Sequence, residues 1–182
     1  MPKYEELVEI PVGNETVIGA STMAFPCLSF LWIEDCPLLS SMPLYPSLDN
    51  ELRLVNTSSR PLKQTIQMNI TISTSSLPLS KFEAFNVWNI EELNSNLLQD
   101  CLQNMTFIKE LTITDCRELD LEDMALQWYL LKNLNYLKIN NLPQLVSLPL
   151  WLQHLVQLKE LKIENCSGLR SLLSWIPTSH FP

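Results

Sequence analysis

Five cysteines, two histidines and one tight group of acids are the side chains in this sequence with the most chemistry to offer, and spacing decides what they could do. Zinc held by thiolate and imidazole needs ligands at short, fixed intervals such as Cys-x-x-Cys. Cys27, Cys36, Cys101, Cys116 and Cys166 include no such pair, and neither His154 nor His180 has a partner at ligand spacing, so no metal is expected. A Cys–His nucleophile needs a thiolate in an electropositive, accessible niche. Nothing in the sequence marks one of these cysteines that way. Asp120, Glu122 and Asp123 in "DLEDM" are too close together to read as a catalytic pair, and no motif ties a further acid to them. They suit the first turn of a helix, where negative charge is favoured. No catalytic residue is expected, and the chain is read as not an enzyme.

Three of the cysteines instead occupy one repeated position. "LKELKIENCSGLRSL" places apolar residues at Leu158, Leu161, Ile163, Leu169 and Leu172, with Cys166 in the remaining slot. The same order runs through Ile108, Leu111, Ile113, Cys116 and Leu119, and through Leu28, Leu31, Ile33, Cys36 and Leu39. It also fits Leu134, Leu137, Ile139, Leu142 and Leu145, and Phe82, Phe85, Val87, Ile90 and Leu93. First positions 82, 108, 134 and 158 are 26, 26 and 24 residues apart, inside the range of roughly 20–29 residues seen for leucine-rich repeats. The apolar pair two residues apart marks a short strand whose alternate side chains point inward, so Leu161 and Ile163 are expected inside and Lys162 outside. The turn that follows buries backbone groups in need of partners. A small, weakly hydrogen-bonding thiol fits there, and Cys36, Cys116 and Cys166 are expected to be buried. Five is an odd number, and stacked equivalent slots are no disulfide framework, so a reducing compartment is implied. The expected fold is α/β: a leucine-rich-repeat solenoid, or horseshoe arc, with a concave parallel β-sheet and an irregular or short-helical convex side.

Residues 1–24 carry no clear repeat and read as an irregular lead-in; residues 25–182 read as the repeat domain. A degenerate copy, "YPSLDNELRLVNTSS", offers Leu52 and Leu54 as its strand pair. The Ser/Thr-rich stretch near 57–81 reads as a loop or insertion with room for one irregular strand, and the repeat register between 45 and 81 stays open. Helical character is expected for the convex segments "NSNLLQDCLQNM" and "DLEDMALQWYLLKNL", shortening to "LPLWLQHLVQ" in the last repeats. Trp128, Trp151 and Trp175 lie on such segments, where a large ring can fill the coil.

Length fits one domain: 182 residues, 46% apolar, are enough for a continuous core. A net charge of −8 argues against a nucleic-acid grip. No apolar run approaches the roughly 18 residues of a membrane span, and the opening "MPKYEELVEIPVG" lacks the basic head and apolar middle of a secretory signal. A cytoplasmic chain is expected, without membrane contact. Asn14, Asn56, Asn69, Asn104 and Asn165 each begin an Asn-x-Ser/Thr triplet, which would matter in a secreted chain. Asn165 adjoins the buried cysteine slot and Asn69 lies in the alternating "IQMNITI", so both would hold glycans poorly; the triplets are read as a product of an Asn/Ser/Thr-rich sequence.

"LWIEDCPLLSSMP", "LTITDCREL", "LVSLPLWLQHLVQLKELKIENCSGLRSL" and the bridge "PLKQTIQMNITISTSSLPLSKFEAFNVWNIEEL" resemble the leucine-rich-repeat region of plant nucleotide-binding disease-resistance proteins of the coiled-coil class. The resemblance covers roughly residues 25–182. It implies a segment that contacts pathogen effectors or guarded host proteins, packs on other domains of the parent receptor, and restrains it. The nucleotide-handling module of that family needs a Gly-rich phosphate loop. Gly13, Gly19 and Gly168 make none, so no cofactor is expected. A general intracellular leucine-rich scaffold without immune role is the other reading.

Partner binding is expected on the strand positions that face away from the core. One stripe comprises Trp32, Asn86, Thr112, Lys138 and Lys162; the next, Glu34, Trp88, Thr114, Asn140 and Glu164; beside them stand Phe30, Tyr136, Lys109, Lys159 and Glu160. Exposed Phe30, Trp32, Trp88 and Tyr136 are the anchors interfaces favour. Phe30 and Trp32 could instead pack on an upstream repeat or a folded-back loop, and Lys138 and Lys162 could be merely solvated. Solenoid ends need polar caps, and residues 1–24 hold too few apolar residues in register to supply one. Self-association through an uncapped N-terminal end is therefore expected.

Overall fold

A computed structural model of the chain describes residues 27–41, 48–69, 79–121 and 131–172. Six five-residue strands fall on the apolar pairs of the sequence: β1 (Phe30–Glu34), β2 (Glu51–Val55), β3 (Ala84–Trp88), β4 (Glu110–Thr114), β5 (Tyr136–Asn140) and β6 (Glu160–Glu164). They form one open, all-parallel sheet in sequence order. β2 lies on Leu52 and Leu54, the pair offered by the degenerate copy. Pairing stacks Leu31, Leu52, Phe85, Leu111, Leu137 and Leu161 in one column and Ile33, Leu54, Val87, Ile113, Ile139 and Ile163 in a second. Period 2 sends both columns to the same face. In the middle strands these side chains are wholly buried, each stabilising the fold by about 1.5–3 kcal/mol.

Burial fails at the ends. Leu161, expected inside, is 38% exposed, and Ile163 is only half-buried. Among the described residues β6 has a strand neighbour on one side only, so its inward side chains lack a second described layer to close on. Leu31 and Ile33 of β1 are half-buried for the same reason.

The segments between strands return behind the inner face. Part of the stretch expected as a loop is a helix, α1 (Arg60–Asn69). Pro61 sits in its first turn, where a missing N–H costs little, and Ser58 Oγ accepts from Arg60 N–H at 3.2 Å. Leu62, Thr65 and Ile66, at three-to-four spacing, form its inner face. Asn69 thus ends a helix rather than standing in a strand, and the rest of the expected irregular strand lies in 70–78, outside the described residues. α2 (Ser95–Asn104) matches the helical reading of "NSNLLQDCLQNM": Asn94 caps it by accepting from Leu97 N–H at 3.0 Å, and Leu97, Leu98, Cys101 and Leu102 are buried. α1 packs on α2. Between β5 and β6 the return shortens to a 3-10 helix, Leu150–His154, whose Trp151 is buried and donates its indole N–H to Leu121 O at 3.0 Å. Trp128 and most of "DLEDMALQWYLLKNL" lie outside the described residues, as do Trp175 and the lead-in.

One conformation ends every strand. Asp35, Asn56, Asn89, Asp115, Asn141 and Asn165 each take a positive φ between 48° and 55°, a region that Asn and Asp enter most readily among residues with a Cβ. The N–H of each of the first five donates to the last carbonyl of the next strand, as in Asp35 to Val55 at 3.0 Å and Asn141 to Glu164 at 2.9 Å. Their side chains link along the edge: Asn56 to Asp35 at 2.7 Å, Asn89 to Asn56 at 3.0 Å, Asn141 to Asp115, and Asn165 to Asn140 at 2.9 Å. Directly after them, the thiols of Cys36, Cys116 and Cys166 donate to the strand carbonyl two residues back, at 3.2, 3.3 and 3.4 Å. Only Cys116 is buried. Cys36 is exposed and Cys166 half-buried, against expectation, because they too belong to the first and last strands. Asn165 is accordingly exposed.

Candidate functional site: the outer face of the sheet

Parallel sheets are ordinarily covered on both faces. Here the helices and returns cover one face, while the outward positions of all six strands are half-buried or exposed except Val55 and Thr114. Three rows cross this face: Phe30, Glu51, Ala84, Glu110, Tyr136 and Glu160; then Trp32, Arg53, Asn86, Thr112, Lys138 and Lys162; then Glu34, Val55, Trp88, Thr114, Asn140 and Glu164.

The structure thus brings most of the expected residues onto one surface and moves three. Thr114 is only 6% exposed, because it lies in register between the larger Trp88 and Asn140. Lys109 and Lys159 precede β4 and β6 and belong to the rim at the strands' N-terminal ends. There they line, with Phe107, Asn133, Asn135 and Gln157, a depression of about 320 Å³. Lys109 is held by Glu83 at 2.7 Å. Glu51, Arg53, Val55, Ala84 and Glu110 also stand in the rows and were missed. Their signal was present, since Arg53 sits between Leu52 and Leu54 as Lys162 sits between Leu161 and Ile163.

Charge divides the face. At the β5–β6 end Lys138 pairs with Glu164 at 2.8 Å, and Lys162 pairs with Glu160 at 2.9 Å while lying 5.3 Å from the Tyr136 ring centre. The hydrogen bond and charge of Glu160 hold the Lys162 ammonium above its ordinary pKa. At the β1–β4 end Phe30 is exposed, Trp32 is 60% exposed and Trp88 46%. The expected alternative, packing of Phe30 and Trp32 on upstream chain, concerns residues outside the described ones. The Arg53 guanidinium lies over the Trp32 ring, 4.6 Å from its centre. Asn86 donates to Glu51 at 2.7 Å. A hollow of about 200 Å³ in this half is lined by Arg53, Val55, Asn86, Trp88, Thr112 and Thr114.

No protein-family model, curated protein or solved structure matches the chain. Its own residues carry the functional reading. The buried thiols are poor nucleophiles: burial pushes Cys101 up to about 12 and Cys116 up to about 11, leaving both protonated near neutrality. His154 is exposed at the end of its 3-10 helix, and His180 lies outside the described residues. Among the described residues no group of three or more His, Cys, Asp and Glu could hold a metal ion, and no helix is long and apolar enough to cross a membrane. What the open face offers is large rings beside polar groups in a shallow surface, the chemistry of a macromolecular contact.

Proposed function

We propose that this chain is a leucine-rich-repeat solenoid whose outer, concave sheet face binds proteins, serving as the recognition segment of a plant coiled-coil-type nucleotide-binding disease-resistance receptor. In that role it engages pathogen effectors or guarded host proteins in the cytoplasm and restrains the receptor until they arrive. The observation that carries the binding role is an all-parallel sheet left open on one face, with Phe30, Trp32, Trp88 and Tyr136 in its rows. Strands in sequence order, all in one register, are what stacked short repeats produce. "EDC", "TDC" and "ENC" after three of the strands support the narrower family reading.

Two measurements test the two parts. A photo-crosslinking residue at position 112, on the face, is expected to capture cytosolic proteins in clear excess over one at Gln103 on α2; equal yields would refute the binding face. Sequencing the complete transcript is expected to reveal a phosphate loop upstream in the same reading frame. A transcript that encodes no such loop would leave a scaffold and remove the receptor.

A further inference from the structure

We infer that the β1–β4 half of this face receives an arginine-bearing segment of the partner protein, its stem laid over Val55 and Trp88 and its guanidinium between Asp35 and Glu91. The inference rests on the face being a protein-binding surface and adds the chemistry of what it takes.

Two adjoining depressions set the geometry. Val55 and Trp88 line the hollow on the sheet, and the residues that follow them, Asn56 and Asn89, line a second one of about 290 Å³ with Asp35, Pro37 and Glu91. The half-exposed Trp88 ring, with the nearly covered Val55 beneath the same hollow, thus leads to two carboxylates at the rim. A long side chain with an apolar stem and a cationic head matches that order.

Charge selects the occupant. Glu34, Asp35, Glu91 and Glu110 have no ion pair among the described residues. Arg53 is the one cation in these rows of β1–β4, and it is occupied by the Trp32 ring. Beyond the rim, Lys63 and Arg60 act on Glu92, where the Lys63 hydrogen bond and charge hold the carboxyl below its ordinary value. An acidic partner would meet uncompensated carboxylates, whereas a basic one relieves them. The Arg53–Trp32 pair is an internal precedent, since it shows a ring of this face accepting a guanidinium from its neighbour in the row. Planarity and a five-donor fork let a guanidinium at the rim meet the two carboxylates in two-pronged fashion while the stem packs on the Trp88 ring; an ammonium offers a single point charge instead.

Calorimetric titration of the whole chain with a nine-residue alternating Gly/Arg peptide, against Gly/Gln and Gly/Glu peptides, tests this. The Arg peptide is expected to bind and the other two to give no heat. Asp35→Asn with Glu91→Gln, and separately Trp88→Ala, should each weaken binding about tenfold or more. Asparagine already occupies the same turn position at Asn56, and at position 35 it keeps an acceptor for the Asn56 amide, so unchanged melting of the Asp35/Glu91 variant is expected alongside. Asp49→Asn with Asp100→Asn makes the same charge change away from both depressions, Asp49 at the opposite ends of the strands and Asp100 on α2, and should stay within about twofold. Tighter binding of the Glu peptide, indifference to Trp88→Ala, or an equal loss in the remote control would overturn the inference. Should the Arg peptide fail while position 112 still captures protein, the chemistry is wrong and the binding face stands; failure of both removes the face as well.

Discussion

Asn141 offers the sharpest test of what fixes the turn after each strand. Its backbone has a φ of 51°, its side-chain amide donates to the Asp115 carboxylate, and its N–H donates to Glu164 O at 2.9 Å. Asn141→Ala keeps the N–H bond but loses the side-chain bond, worth about 1 kcal/mol at an exposed edge. It also leaves a Cβ in the left-handed region without the polar side chain that eases entry there, a further cost of about 1 kcal/mol. Asn141→Gly loses the same side-chain bond yet adopts this φ freely, and the extra freedom it gives the unfolded chain offsets only part of that gain. Losses of about 2 kcal/mol for alanine and about 1 kcal/mol for glycine are expected. Urea unfolding followed by tryptophan fluorescence, with equal slopes for all three proteins, reads both. A glycine variant as unstable as the alanine variant would show that the side-chain chain along the edge, and not the backbone conformation, sets the requirement.

Leu137→Ala removes a side chain with 0% exposure from the middle of the stack and should cost about 3–4 kcal/mol, against about 1–2 kcal/mol for Leu161→Ala at 38% exposure; equal losses in urea unfolding would deny the end effect. The Cys101 thiol is raised by burial from 9.0 to about 12. Its folded value is the higher one, so its contribution is complete below pH 9 and is lost as the unfolded chain deprotonates above it, at about 1.4 kcal/mol per pH unit. Urea midpoints from pH 8 to 10.5 should therefore fall faster in the parent than in Cys101→Ala, and parallel profiles would contradict this. Thr57 and Ser59 carry buried hydroxyls without partners among the described residues, so Thr57→Val is expected to raise stability by about 1 kcal/mol, whereas a loss would reveal a water bridging them.

Strand positions were legible because the apolar pair of each strand is a local property. Even in a degenerate copy, Leu52 and Leu54 announce β2. The depth of burial was not legible, for a physical reason: Leu137 and Leu161, or Cys116 and Cys36, occupy the same slot, and what separates them is whether a strand lies on both sides. That depends on place in the stack and leaves no mark on the slot itself. α1 escaped notice because its inner face uses Thr65 between Leu62 and Ile66, so polar letters hid a helical period. On the outer face, reading only the regular copies omitted Arg53. Thr114 was misjudged because the width of its neighbours, rather than its own direction, covers it.

The division of labour across each strand explains how such a surface can be so varied. Two inward columns supply the apolar burial, and the turn residues tie each strand to the next through backbone N–H groups whose bonds are indifferent to the residues facing outward. One row holds Phe30 and Tyr136, Ala84, and the carboxylates of Glu51, Glu110 and Glu160, so rings, a methyl group and charges stand side by side on the same backbone ladder. Backbone ladders of this kind accept any residue that tolerates an extended conformation, at differences of about 1 kcal/mol. Outward positions are thus largely relieved of structural duty, and a change at Trp88 or Arg53 can alter the chemistry the face presents while leaving the columns behind it as they are.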